Sequence, residues 1–321
     1  MKRVRAAVVG VGYLGKFHAE KYSKMDNIEL VGVVDIRKAQ AEKIAGNVGS
    51  KPFFDYRDLF GLVDAVSIAV PTPLHYEIGK AFLEHDIDVL IEKPITTTVE
   101  EADELIEIAD RKRLVLQVGQ LERFNPAVTA VQHVVDHPIF IESNRLGIYK
   151  ERGTDVSVVL DLMIHDIDII LNFVRSGIKY CHAMGASVVS DNIDIANAHI
   201  EFDNGAVANV TASRISNKNE QKIRLFQKDG YVSVDFANRS IIHVRPGKED
   251  NNCPIPGMHL EEKCFMQGDA LEDEIRSFIN AVESRKAPEV SGQMGRDALK
   301  MALDITQQIQ KSSRIYSGLN P

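Results

Sequence analysis

The sequence predicts two domains: an α/β Rossmann domain built on a doubly wound parallel sheet, then an α+β domain with an open antiparallel sheet. Three observations predict this. The first 120 residues alternate apolar, β-branched runs with amphipathic helical patterns, the rhythm of a parallel sheet covered on both faces. A glycine-rich turn, Gly10-Val11-Gly12-Tyr13-Leu14-Gly15, follows the first apolar run. Beyond Gln120 hairpin signals take over, at Asp203-Asn204-Gly205 and Lys228-Asp229-Gly230.

Taken in order, strands are expected over Arg5–Val9, Ile28–Val34, Asp64–Val70, Asp88–Ile91 and Val115–Gly119. Helices over Leu14–Met25, Lys38–Gly46, Leu74–His85 and Val99–Lys112 separate them. A helix around Asp155–Val174 follows, then paired strands Ile193–Phe202 with Ala206–Ser213 and Gln221–Gln227 with Tyr231–Phe236. Helical patterns over Leu271–Ser284 and Met294–Ile309 close the chain. The expected division is a dinucleotide-binding domain over residues 1–120 and a substrate-binding and oligomerisation domain over 121–321.

A chain of 321 residues exceeds what one core usually holds, about 250–300 residues. With 38 Lys+Arg against 46 Asp+Glu the net charge is −8, which argues against a general nucleic-acid binder. Cys181, Cys253 and Cys264 form no CxxC pair and read as reduced thiols of a cytoplasmic protein. No apolar run reaches the roughly 18 residues of a membrane span. The basic-then-apolar start is broken by Gly10, Gly12 and Gly15, so it reads as a strand and not as a signal peptide.

The glycine turn has a physical reading. Gly10 permits the tight turn, Gly12 lets backbone approach a pyrophosphate, and Gly15 lets helix and strand pack closely, with Tyr13 and Leu14 between them. The helix start holds the phosphate charge. Asp35, at the next strand end, is placed to bind ribose hydroxyls and to repel a 2′-phosphate, so NAD is expected over NADP. Arg37 either offsets that charge, stacks on adenine or stays solvated.

Lys93, in Glu92-Lys93-Pro94, sits at the carboxyl end of a predicted parallel strand, where open α/β sheets bind ligands. Pro94 restricts Lys93 to extended geometry. Asp161 and His165 are four apart on one predicted helical face, with Asp168 three further on. The pair is either a buried structural histidine with its carboxylate or an acid/base unit. No metal is expected, because no further Cys or His ligand lies near the stripe. Imidazole, with an ordinary pKa near 6.5, suits removal of a hydroxyl proton near neutrality.

Together with the glycine turn, Pro71-Thr72-Pro73-Leu74-His75, Glu92-Lys93-Pro94 and the Asp161–Asp168 segment closely resemble the glucose–fructose oxidoreductase/inositol dehydrogenase family. Its members are largely NAD(P)-dependent oxidoreductases of sugars, cyclitols and sugar nucleotides. The resemblance implies that Lys93 is the active-site lysine, close to both the nicotinamide ribose and the substrate hydroxyl, and Glu92 a cofactor-side residue. It implies that Thr72 and His75 lie on the loop passing the nicotinamide ribose, and that Asp161 and His165 are the paired carboxylate and imidazole. Met163 departs from the glycine common in the family.

The segments Gln120–Val128, Asp161–Asp168 and Ala212–Ser216 resemble a narrower branch that oxidises the 3-hydroxyl of UDP-N-acetylglucosamine. On that resemblance Gln120, Arg123, Asn125, Tyr149 and Arg214 are candidate substrate residues. An acidic protein needs local cations for a diphosphate, and Arg123, Arg145, Arg152, Arg214, Lys218, Lys222 and Arg224 are the candidates. Tyr149 either stacks on uracil or packs. Alternatives are a dehydrogenase of a free sugar or cyclitol and a non-catalytic dinucleotide-sensing regulator. Apolar strand faces of the second domain imply a homodimer or homotetramer through the antiparallel sheet.

Overall fold

The computed structural model describes residues 3–150, 156–248, 253–265 and 268–317. The chain divides into two compact units, residues 1–121 with 269–299, and residues 122–268 with 300–321.

The first unit begins β1 (Val4–Val9), α1 (Gly15–Tyr22), β2 (Ile28–Val34), α2 (Lys38–Val48) and β3 (Lys51–Phe53). It continues β4 (Ala65–Ile68), α3 (His75–Glu84), β5 (Asp88–Glu92), α4 (Val99–Lys112) and β6 (Leu116–Gly119). The six strands form one sheet in the order β3-β2-β1-β4-β5-β6, and every pairing is parallel. Burial of all four residues of β4 and of β6 explains their apolar or small character, broken only by Gln117 of β6, whose amide donates to the Glu274 carbonyl. Helix α4 starts at a reciprocal capping box between Thr98 and Glu101. The short edge strand β3, which has no alternating pattern, is not apparent in the sequence.

The second unit runs α5 (Pro126–Val131), β7 (Phe140–Leu146), a π-helical segment (Val159–Met163) and α6 (Ile164–Val174). Seven strands follow: β8 (Ile178–Ala186), β9 (Ile195–Phe202), β10 (Val207–Ser213), β11 (Glu220–Gln227), β12 (Gly230–Asp235), β13 (Ser240–Pro246) and β14 (Met258–Cys264). Their sheet has the order β14-β13-β12-β11-β7-β10-β9-β8. It is mixed, not purely antiparallel, because β7 and β10 pair in parallel. Hairpin signals report only adjacent strands, whereas β7 joins β10 and β11 from far along the chain. Gly205 closes the β9–β10 hairpin at φ +86°, where a β-carbon would be strained.

The chain then adds α7 (Ala270–Ser284) and α8 (Gly292–Ser317). Residues 269–299 belong to the first unit, so the nucleotide-type fold is discontinuous in sequence. The reason is apolar: Ile275, Phe278, Ile279 and Val282 of α7 share one core with Val4, Ala6, Val8 and Tyr22.

The outer face of the second sheet is more polar than expected from the sequence. Asn144, Asn197, His199, Asn209 and Thr211 occupy it, interrupted by the ring cluster Phe140–Phe226–Tyr231. Among the described residues no helix is long and apolar enough to cross a membrane. Cys181, Cys253 and Cys264 are unpaired thiols.

Candidate active site

The strand order of the first sheet reverses between β1 and β4, and ligands of such sheets bind in the crevice beyond the strands' carboxyl ends. A cavity of about 610 Å³ lies there, lined among others by Gly10, Gly12, Tyr13, Leu14, Asp35 and Arg37. Gly10 has φ +83°, and a β-carbon on it would lie 2.8 Å from the Ala69 carbonyl oxygen. A β-carbon on Gly15 would lie 1.8 Å from the Gly10 carbonyl oxygen. Gly12 differs, because a β-carbon on it would have no heavy atom within 4 Å beyond its chain neighbours. Helix α1 has neither a side-chain cap nor an acidic residue in its first turn. Its leading N–H groups therefore meet no carboxylate from the cap or first turn of the helix itself. Open backbone at Gly12, an uncapped helix start and a nearly buried carboxylate at Asp35 fit a dinucleotide.

Asp35 accepts hydrogen bonds from the Arg37 backbone at 2.9 Å and from Arg37 Nε at 3.3 Å. Arg37 is thus folded back onto the acid while remaining 67% exposed. Pro71 and Leu74 of the turn after β4 line the same cavity, and Thr72 between them is half-buried. His75, which the resemblance puts on the loop passing the nicotinamide ribose, begins α3 directly after that turn. It is buried, and its ring nitrogens lie 2.8 Å from the Pro94 carbonyl and 2.9 Å from the Val70 carbonyl. With both nitrogens engaged by backbone, His75 braces the loops after β4 and β5. Burial lowers its pKa, with the two carbonyls acting in the opposite direction.

Lys93 is half-buried just past β5 and is joined to Pro94 by a cis peptide bond. Its backbone N–H donates to Glu92 Oε2 at 3.3 Å, and Glu92 Oε1 lies 3.0 Å from His18 Nε2. Burial pushes the Glu92 carboxyl up, but the His18 hydrogen bond and charge, with Lys93, bring it below its ordinary value. His18 escaped the sequence reading, although its place in α1, just beyond the glycine turn, was the available signal. Gln120, past β6, is fully buried, and neither polar atom of its amide has a partner among the described residues.

In the second unit Asp161 lies in the π-helical segment and His165 in the first turn of α6, both half-buried. The i→i+5 winding is wider than the α-helix from which their shared face was read, and such segments are frequent at functional sites. Met163 is fully buried. Asp168 does not extend an open stripe: it is buried 3.6 Å from Arg123. Burial pushes the Asp168 carboxyl up to about 6, with Arg123 pulling the other way.

The arginines expected to hold a diphosphate are mostly internal. Arg123 is 1% exposed and faces Asp168. Arg145 is buried, bonded to both oxygens of Asp166 at 2.9 and 3.0 Å and to Glu122 at 3.1 Å. Burial disfavours its charge, yet Asp166 and Glu122 hold Arg145 protonated. Arg214 is buried, donates to the Val156 carbonyl and lies 3.8 Å from Asp194. Asn125 caps α5 by accepting from the Ala127 N–H and donates to Glu122 and to the Phe236 carbonyl. Each of these residues thus meets a polar protein group inside the second unit. Lys218, Lys222 and Arg224 are exposed and paired with Glu220, Asp235 and Glu142. Tyr149 is 43% exposed, and Arg152 lies outside the described residues.

Residues 4–120 match the profile described as an oxidoreductase family with an NAD-binding Rossmann fold, and residues 127–233 that of the GFO/IDH/MocA C-terminal domain. The chain is 36% identical over 306 residues to UDP-N-acetylglucosamine 3-dehydrogenase of Acidithiobacillus ferrooxidans, covering 95% of this chain and 97% of the relative. A solved structure of that enzyme superposes with a TM-score of 0.92 at 35% identity, covering 97% of this chain and 99% of the other. The scyllo-inositol 2-dehydrogenase (NAD(+)) of Bacillus subtilis is 29% identical over 314 residues, 90% of this chain and 89% of its own.

Proposed function

The chain belongs to the GFO/IDH/MocA family of oxidoreductases, and on that premise we propose that it oxidises a secondary hydroxyl of a sugar nucleotide, the 3-hydroxyl of UDP-N-acetylglucosamine. The observation that carries the oxidoreductase reading is the dinucleotide crevice of the first unit together with Lys93 at the end of β5. The sugar nucleotide is supported by the relative's 36% identity across nearly the whole chain.

A bound nicotinamide supplies the hydride acceptor. Gly10, Gly12, Tyr13, Leu14 and Gly15 form its pyrophosphate cradle, with Thr72 and Glu92 on the nicotinamide side. The substrate hydroxyl proton passes to the His165 imidazole, which Asp161 orients. The Lys93 ammonium stabilises the oxyanion that develops on the substrate as its C–H bond breaks. Gln120 and Tyr149 contact the substrate, the buried amide of Gln120 being satisfied by its polar groups.

Asp35 binds the ribose hydroxyls and selects NAD over NADP. Hydrogen bonds to a charged group contribute about 1.5–3 kcal/mol, so Asp35→Ala weakens NAD binding about tenfold to a hundredfold. The same variant narrows the preference over NADP. Equal wild-type affinity for the two cofactors, measured by fluorescence titration, removes Asp35 as selector.

A second reading, a free sugar or cyclitol as substrate, is favoured by one observation: Arg123, Arg145 and Arg214 are buried against carboxylates. Competition separates the two. Free UDP inhibits turnover of UDP-N-acetylglucosamine, and free N-acetylglucosamine is a far poorer substrate. Comparable rates on the free sugar without UDP inhibition transfer the proposal to the second reading. Copies of the chain assemble through the outer face of the second sheet, where the Phe140–Phe226–Tyr231 rings offer apolar area.

A further inference from the structure

Beside Lys93 lies a cluster of which the proposed chemistry uses only Glu92. One donor atom from each of His18, Glu92 and Glu274 lies within 4.8 Å of the other two. They come from α1, the end of β5 and α7, all in the first unit. Glu274 is fully buried, and neither of its carboxyl oxygens has a partner among the described residues. The groups facing it are His18 and Tyr22 from α1, Glu92 from β5, and Gln117 from β6, whose amide donates to the Glu274 backbone carbonyl. None supplies Glu274 with a positive countercharge, because His18 already engages Glu92.

Two carboxylates this close in a desolvated site do not both ionise; one keeps its proton. Glu92 has the anion's partners, His18 and the Lys93 N–H, while Glu274 has none. We infer that Glu92 and Glu274 form a one-proton carboxylic dyad in which Glu274 holds the proton and acts as a positioning residue, limiting the charge behind Lys93 to a single negative. Burial, with the Glu92 charge added, pushes the Glu274 carboxyl well up, in agreement with the geometry. The consequence for Lys93 rests on its proposed catalytic role; the proton count does not.

The unfolded chain ionises Glu274 near its ordinary pKa of about 4.3, whereas the folded chain keeps the proton. Folding therefore takes up one proton, and its stabilising effect, complete below the unfolded pKa, is lost as pH rises toward the folded pKa. The experiment is urea unfolding of the full chain between pH 5 and 7, wild type against Glu274→Gln, which mimics the neutral acid and cannot ionise. The ratio of unfolding constants, wild type over variant, is expected to rise about tenfold per pH unit. A ratio independent of pH overturns the dyad. So does a stoichiometric divalent metal, found by elemental analysis in purified wild type and lost from Glu274→Gln. In the oxidation assay Glu274→Ala lowers kcat and Glu274→Gln restores it with the wild-type pH profile. Equal loss in both variants overturns the positioning role while leaving the proton count standing on the unfolding data.

Discussion

Lys93→Met lowers kcat by about a thousandfold or more and leaves NAD affinity within a few-fold of wild type. Methionine keeps the length and apolar stem of lysine, so the half-buried position past β5 stays filled. What it removes is the ammonium, and loss of one preorganised oxyanion donor costs about 10²–10³ in kcat. Lysine also positions the hydroxyl, which adds to the loss. His165→Ala is the companion experiment, with an expected loss of about 10²–10⁴, the contribution of a general base. A general base works in its unprotonated form, so the variant is expected to lose the limb of kcat that rises with pH. If His165→Ala keeps both its rate and its limb, His165 only positions substrate and Lys93 is the proton acceptor. Stopped-flow formation of NADH across pH separates the outcomes.

Gly12→Val abolishes cofactor binding without unfolding the protein. A β-carbon on Gly12 has no heavy atom within 4 Å beyond its chain neighbours, and the backbone is outside the left-handed region, so little stability is expected to be lost. The branched side chain instead occupies the approach that the backbone offers to a pyrophosphate. Affinity is expected to fall at least about a hundredfold, roughly 2.7 kcal/mol, with a melting temperature within a few degrees of wild type. Gly15→Ala gives the contrast, since its β-carbon would lie 1.8 Å from the Gly10 carbonyl oxygen and must displace the turn. NADH titration with thermal unfolding of both variants checks the pair. Normal NADH affinity in Gly12→Val removes the glycine turn as a phosphate cradle.

Such contrasts show where the sequence was legible. The turn Gly10–Gly15, the strand-end acid Asp35 and Lys93 before Pro94 all announce themselves by local rules, and the structure gathers Gly10, Gly12, Tyr13, Leu14 and Asp35 around one cavity. The protein partners of Arg123, Asn125 and His75 were not legible, because each is distant in sequence or is a backbone carbonyl: Asp168, Phe236, and Pro94 with Val70. A motif records which polar group is present, not whether the protein has already satisfied it. The missed strands β8, β13 and β14 carry weak alternation, as in the exposed start of β8 at Ile178–Tyr180. The π-helical winding at Asp161 is invisible for another reason: no residue type in Val159–Met163 demands it.

Helix α7 carries a consequence for the order in which the protein is made. Its apolar face belongs to the core of β1 and α1, laid down some 250 residues before it. A chain emerging from the ribosome therefore presents Val4, Ala6 and Val8 long before Ile275 and Phe278 exist to cover them. The strands of the second unit's sheet, β7 to β14, are synthesised in that interval, and that sheet closes first. A fragment ending at residue 121 keeps every glycine of the cofactor turn yet lacks Glu274 and the lid of its own core. To isolate the nucleotide unit, residues 269–299 have to be grafted back onto it.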